Sequence, residues 1–193
     1  RRSSDLVNGG RKMDTKKRPI IIDTDPGIDD AVALAIALNH PNLEVRLITT
    51  VAGNVDVEKT TNNALKLVDF FGKKVPVAKG CNCPLLIQLE DSAEIHGETG
   101  MDGFEFPQPI STCLDIHAVE AMRKEILSSD VPLTIVPIAA LTNIALLLTL
   151  YPEVKENIAE IVMMGGSLAR GNTNTSAEFN TYVDPHAAQI VFQ

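Results

Sequence analysis

The chain alternates between two hydrophobic periods from residue 19 onward. Short apolar runs rich in β-branched residues fall at 19–24 (PIIIDT), 44–51, 75–78, 133–138 and 161–164, and such runs suit buried strands. Between them, 29–40, 55–71, 115–128 and 141–150 are rich in Ala and Leu or carry apolar residues at helical spacing, which predicts helices. A closing helix is predicted over 184–192. It opens on Asp184-Pro185, a good cap followed by a good first helical residue. Residues 171–176 read as a polar loop and 177–183 as strand or irregular chain. Residues 80–112 mix Pro, Gly, Cys and acidic side chains, which predicts a long loop with one short element. A loop of that length inside a domain is commonly functional.

Strands alternating with helices imply an α/β architecture, a mostly parallel sheet with helices on both faces. Ligands of such sheets bind beyond the carboxyl ends of the strands. The length, 193 residues, suits one domain with a sizeable core. The chain is 45% hydrophobic and 22% charged, a globular composition, and its net charge of −8 argues against binding nucleic acid or an anionic membrane surface. The longest apolar run, 31–38, is far short of the roughly 20 residues that span a bilayer. Three cysteines, Cys81, Cys83 and Cys113, make no disulfide framework, and no apolar signal segment follows the first arginines. A cytoplasmic protein is therefore expected. Residues 1–12 read as an added tail outside the fold, with Met13 the natural start.

The densest chemistry lies at Asp23-Thr24-Asp25-Pro26-Gly27-Ile28-Asp29-Asp30, directly after the first strand. In extended chain the two-residue spacing puts Asp23 and Asp25 on one side, and Asp29 and Asp30 open a helix, whose dipole favours anions. Two carboxylates about 4 Å apart repel by roughly 4 kcal/mol at an effective dielectric near 20, so this cluster calls for a cation or a bound proton. The local donors are all oxygens, which favours Ca²⁺ or Mg²⁺ over zinc. An EF-hand starting at Asp23 fails, because Ile28 and Leu34 stand where Gly and Glu are needed. The Gly-x-Gly-x-x-Gly dinucleotide fingerprint is absent after this strand. An Asp-x-Asp phosphatase using Mg²⁺ stays open, although Pro26-Gly27 stands where such enzymes typically carry Gly-Thr.

Beyond this cluster the chain carries Val51-Ala52-Gly53-Asn54, Val57-Glu58-Lys59-Thr60-Thr61, Ile95-His96-Gly97-Glu98-Thr99-Gly100-Met101, Leu141-Thr142-Asn143-Ile144-Ala145, Met163-Met164-Gly165-Gly166, Gly171-Asn172, Ala177-Glu178-Phe179-Asn180 and Asp184-Pro185. In this order they resemble the inosine–uridine-preferring nucleoside hydrolases, most nearly the bacterial non-specific ribonucleoside hydrolases. The resemblance covers about 19–193. It implies a Rossmann-like fold and cleavage of the N-glycosidic bond of ribonucleosides, giving ribose and free base for nucleoside salvage with the help of a bound Ca²⁺. It further implies that Asp25, Asp30 and the Ile138 carbonyl hold the metal, that Asp25 is also the base acting on water, and that Asp23 stands one layer behind them. Asp29 would bind ribose hydroxyls; Asn54, Met164, Asn172, Glu178 and Asn180 would line the ribose pocket, and His96 would lie near the base. The partner is then a small ribonucleoside, and a homo-oligomer, dimer or tetramer, is expected. With no Trp, and with Val55 after Asn54 where purine-specific relatives resemble Asn-Asp, both purine and pyrimidine ribosides are expected to be accepted.

Family chains are longer, so 13–193 is expected to be the N-terminal portion of one domain. A further Asp ligand and a histidine near the leaving base would then lie past Gln193, and the 193-residue chain alone would be impaired. A domain that binds nucleoside or metal without catalysis is the non-enzymatic alternative. His40, His117 and His186 read as surface or packing residues, the cysteines as reduced thiols, and Ser167 lacks the glycine pattern of a nucleophile elbow.

Overall fold

The computed structural model describes residues 17–193, so the expectation for residues 1–12 lies outside them. The order is β1 (Arg18–Thr24), α1 (Ile28–Asn39), β2 (Leu43–Thr50), α2 (Val57–Phe70), β3 (Val77–Lys79), α3 (Ala93–His96), α4 (Ala118–Ser128), β4 (Leu133–Pro137), α5 (Thr142–Leu150), a 3-10 turn (Pro152–Asn157), β5 (Ile158–Ile161), α6 (Phe179–Val183) and α7 (Pro185–Val191). All strand pairs are parallel, and the sheet order is β3-β2-β1-β4-β5.

The period-2 pattern of the strands divides the core between two faces. Ile20, Ile22, Ile48 and Val77 pack on one side with Leu34 of α1 and Ala64, Leu67 and Val68 of α2. Ile21, Leu47, Leu133 and Ile135 pack on the other with Met122 and Ile126 of α4, Ile144 and Leu147 of α5, and Ala187 of α7. Side chains alternate across a pleated strand, so adjacent isoleucines of β1 serve opposite layers. The chain leaves β3 at one edge and returns as β4 on the far side of β1. The strand order therefore reverses between β1 and β4, and the crevice past their carboxyl ends is where such sheets place ligands.

Two elements differ from expectation. The last strand is Ile158–Ile161, earlier than 161–164. Its pairing starts at once after the 3-10 turn, with Leu133 opposite Ile158. Ladder-like bonds nevertheless run on, from Val162 N to Ile135 O at 2.9 Å and from Met164 N to Pro137 O at 2.9 Å. The second is α6, where strand or irregular chain was expected. The Glu178 carboxylate accepts from Asn180 N at 2.9 Å and Thr181 N at 3.2 Å, and this capping outweighs the weak local preference of Thr181 and Tyr182 for helix. In α7, Asp184 caps as expected, accepting from Ala187 N at 3.0 Å.

Candidate active site

Directly after β1 the chain turns at Pro26-Gly27 and enters α1, which brings Asp25 and Asp30 to the crevice floor. Asp30 sits at the third position of α1. Its Oδ2 accepts from Gly27 N at 3.1 Å and its Oδ1 from Thr24 Oγ1 at 2.7 Å. Asp25 Oδ2 accepts from Asn54 N at 2.7 Å, while Oδ1 is buried with no hydrogen-bond partner among the described residues. Gly53 permits this approach, since a Cβ there would run into the Asp25 carboxylate. The Asn54 side chain adds donors, from Nδ2 to Asp25 O at 3.0 Å and to Asp30 Oδ2 at 3.4 Å.

Over this floor opens a cleft of about 470 Å³. Asp25, Asp29, Asp30, Asn54, His96, Ile138, Met164, Asn172, Glu178 and Asn180, drawn from segments scattered along the chain, all line it. Asn180 Nδ2 ties two of them together, donating to Ile138 O at 3.2 Å and Met164 O at 3.1 Å. His96 Nδ1 accepts from Ile28 N at 3.3 Å, which anchors the 80–112 loop to the start of α1. Asn172 Oδ1 accepts from Phe179 N at 2.8 Å, and Glu178 Oε2 accepts from Gly166 N at 2.9 Å.

Asp23 does not line the cleft. It is fully buried and accepts from Thr49 Oγ1 at 2.6 Å and Asn143 Nδ2 at 2.8 Å. Of the two, only Asp25, which follows the end of β1 at Thr24, reaches the cleft.

Burial dominates the electrostatics. It lifts the Asp23 carboxyl to about 7, against the hydrogen bonds from Thr49 and Asn143. It lifts Asp30 to about 6 and Asp25 well above the ordinary carboxylate range, Asp25 further through the charge of Asp30. The cause is desolvation, which disfavours the ionised form. The cleft is lined by six carboxylates, those of Asp25, Asp29, Asp30, Asp91, Glu94 and Glu178, and by no Lys or Arg among the described residues.

This donor set fits a hard divalent cation. Asp25 Oδ1 is a buried carboxylate oxygen with no hydrogen-bond partner among the described residues, and it belongs to the same cleft as Asp30 and Ile138. Buried charge without a partner is costly, and oxygen-only donors suit Ca²⁺ or Mg²⁺.

Asp91, Ser92, Glu94, Ile95, Thr173 and Phe179 also line the cleft, although none was singled out for a role. For Asp91, Ser92 and Glu94 the only signal was the length of the 80–112 loop, while Ile95 also stands in the block that carries the family resemblance. Of the other residues weighed, His117 caps α4 by accepting from Val119 N at 3.3 Å, and all three cysteines are free thiols.

The model of the inosine-uridine preferring nucleoside hydrolases matches residues 20–193. The chain belongs to that family. A non-specific ribonucleoside hydrolase, RihC, of Klebsiella pneumoniae (strain 342) is 53% identical over 174 residues, which cover 90% of this chain and 57% of the relative. Among solved structures, a purine-preferring ribonucleoside hydrolase from Gardnerella vaginalis superposes with a TM-score of 0.86 at 36% identity, covering 91% of this chain and 57% of that one. An inosine-guanosine nucleoside hydrolase gives 0.85 at 33% identity, covering 91% and 58%. The chain thus spans little more than half the length of these nucleoside hydrolases. Membership leaves the Asp-x-Asp phosphatase alternative without support. Among the described residues, no helix is long and apolar enough to cross a membrane.

Proposed function

We propose that the protein hydrolyses the N-glycosidic bond of ribonucleosides to ribose and free base, using Ca²⁺. The observation that carries this is the unpartnered Oδ1 of Asp25 at the floor of a cleft that also collects Asp29, Asn54, Asn172, Glu178 and Asn180. The family and the 53%-identical ribonucleoside hydrolase support the reaction class.

Asp25, Asp30 and the Ile138 carbonyl would hold the cation. When bound, it supplies positive charge that neutralises the crowded carboxylates and acidifies the attacking water. Asp25 would take a proton from that water through Oδ1, while Oδ2 stays fixed by the Asn54 amide. Asp29 is exposed at the start of α1 and offers a carboxylate to ribose hydroxyls. The amides of Asn54, Asn172 and Asn180 and the Glu178 carboxylate line the remaining polar wall, and Met164 gives an apolar face. Glycosidic cleavage passes through an oxocarbenium-like state, so positive charge grows on the sugar. A wall of carboxylates and amide oxygens, fixed before reaction, stabilises that charge. His96 lies on the loop side of the cleft, where a departing base would be contacted.

Both purine and pyrimidine ribosides are proposed as substrates, a reading supported by the relative described as non-specific. The test is incubation of full-length, Ca²⁺-replete protein with uridine and inosine. Equimolar ribose and free base are expected. Absence of ribose from both would overturn the proposal.

A further inference from the structure

Ser92 occupies the cap position of α3, yet its hydroxyl makes no cap bond to that helix. Ser at a helix start ordinarily accepts from a free amide of the first turn. Here Ser92 Oγ instead donates to Asn54 Oδ1 at 2.8 Å, and Ser92 N donates to Asn54 O at 3.1 Å. One serine therefore grips both the side chain and the main chain of one asparagine, 38 residues away in sequence. Both residues are buried, Ser92 at 8% and Asn54 at 6% exposure, so water does not readily replace either bond.

The acceptors Asp25 O and Asp30 Oδ2 decide which way the Asn54 amide faces, and the Ser92 hydroxyl satisfies the oxygen on its other side. With Oδ1 taken by Ser92, Nδ2 points at Asp25 O and Asp30 Oδ2. The reverse orientation would set an amide oxygen against a carbonyl and a carboxylate, all acceptors. Without the Ser92 hydroxyl, Oδ1 becomes a buried acceptor lacking its donor, and the amide loses one of the bonds that hold it in place. The same two bonds hold the loop that carries Asp91, Ile95 and His96 to the carboxylate floor.

We infer that Ser92 is a positioning residue: it holds Asn54 in place against Asp25 and Asp30 and so couples the 80–112 loop to the reacting end of the cleft. This rests on the ribonucleoside hydrolase proposal for its kinetic consequence, but not for its structural one.

The test uses the full-length protein and has two arms. In the first, the side-chain amide resonance of Asn54 is followed by NMR with ¹⁵N labelling and assigned by its loss in Asn54→Ala. Ser92→Ala is expected to shift or broaden that resonance, and Ser92→Thr, which keeps the hydroxyl, to leave it near its original position. An Asn54 resonance unmoved in Ser92→Ala would overturn the inference whatever the protein catalyses. In the second arm, Ser92→Ala is expected to lower kcat on uridine about 10-fold, the scale of one lost buried hydrogen bond, with KM changed by less than about 3-fold. Unchanged kcat, or a loss confined to KM, in a parent that does hydrolyse uridine would also overturn it. A parent without uridine hydrolysis would count against the proposed function, and the NMR arm then decides the role of Ser92 by itself.

Discussion

The amide of Asn54 lies 2.7 Å from Asp25 Oδ2, so one oxygen of this carboxylate is held by the protein while the other, Oδ1, is buried with no partner among the described residues. Two strand ends produce that asymmetry. Asp25 follows β1, Asn54 follows β2, and the strands pair in parallel up to Thr24 opposite Thr50. A divided carboxylate of this kind suits a group that must both stay in place and handle a cation or a proton.

Cation binding follows from the unpaired oxygen. Calorimetric titration of the full-length protein with Ca²⁺ is expected to show one tight site. Asp25→Asn combined with Asp30→Asn is expected to abolish it. Unaltered binding in the double variant would place the metal elsewhere.

Catalysis should separate Asp25 from Asp29. Asp25→Asn is expected to lower kcat by at least about 10²-fold, the lower range for a positioned base. Asp29→Ala is expected to cost ribosides about 10-fold or more through a lost hydrogen bond to a charged group, and 2′-deoxyribosides much less. Parallel kinetics on uridine and 2′-deoxyuridine check both, and equal losses on the two substrates would remove Asp29 from the 2′-hydroxyl.

Gly53 is a steric test of the same carboxylate. Its Cβ would meet the Asp25 carboxyl group, so Gly53→Ala must push that side chain aside. Overpacking of this kind costs about 1–3 kcal/mol. Weaker Ca²⁺ binding with only a modest fall in melting temperature is expected. Wild-type Ca²⁺ affinity in this variant would show that Asp25 need not stand where it does.

The pH dependence of the metal-free protein has a definite sign. Burial raises Asp23 to about 7 and Asp30 to about 6 from the ordinary aspartate value of 3.8, so the folded state binds more protons than the unfolded state between roughly pH 4 and 7. Stability of metal-free protein should therefore fall as pH rises through that window, and saturating Ca²⁺ should flatten the decline. Below about pH 4 the trend reverses, because Asp56, Asp69 and Asp102 are held low by hydrogen bonds that protonation removes. Melting curves at pH 5 and pH 7, with and without Ca²⁺, measure the slope. A metal-free protein more stable at pH 7 than at pH 5 would contradict it.

The parallel sheet was legible because its central strand β1 is buried on both faces and stands out as the apolar run Ile20-Ile21-Ile22. The carboxylate cluster was legible because four acids in eight residues need an electrostatic explanation. What escaped depends on partners distant in sequence. Ser92 shows no local pattern, since its hydroxyl bonds to Asn54, far away along the chain. Asp23 is turned to Thr49 and Asn143, a pairing that spacing within the motif cannot show. α6 is capped by its own Glu178, but that carboxylate also takes Gly166 N, and the strand-like composition of the segment masked the helix. The start of β5 is set by where the 3-10 turn delivers the chain beside Leu133, and hydrophobicity alone pointed three residues later.

The most direct measurement is a product assay on the full-length protein, with Ca²⁺ and with uridine, inosine and a phosphomonoester offered in parallel. The account expects ribose and free base in equal amounts from both nucleosides, loss of that activity on chelation, and no phosphate release. Phosphate release without ribose, or ribose formation indifferent to Asp25→Asn, would contradict it.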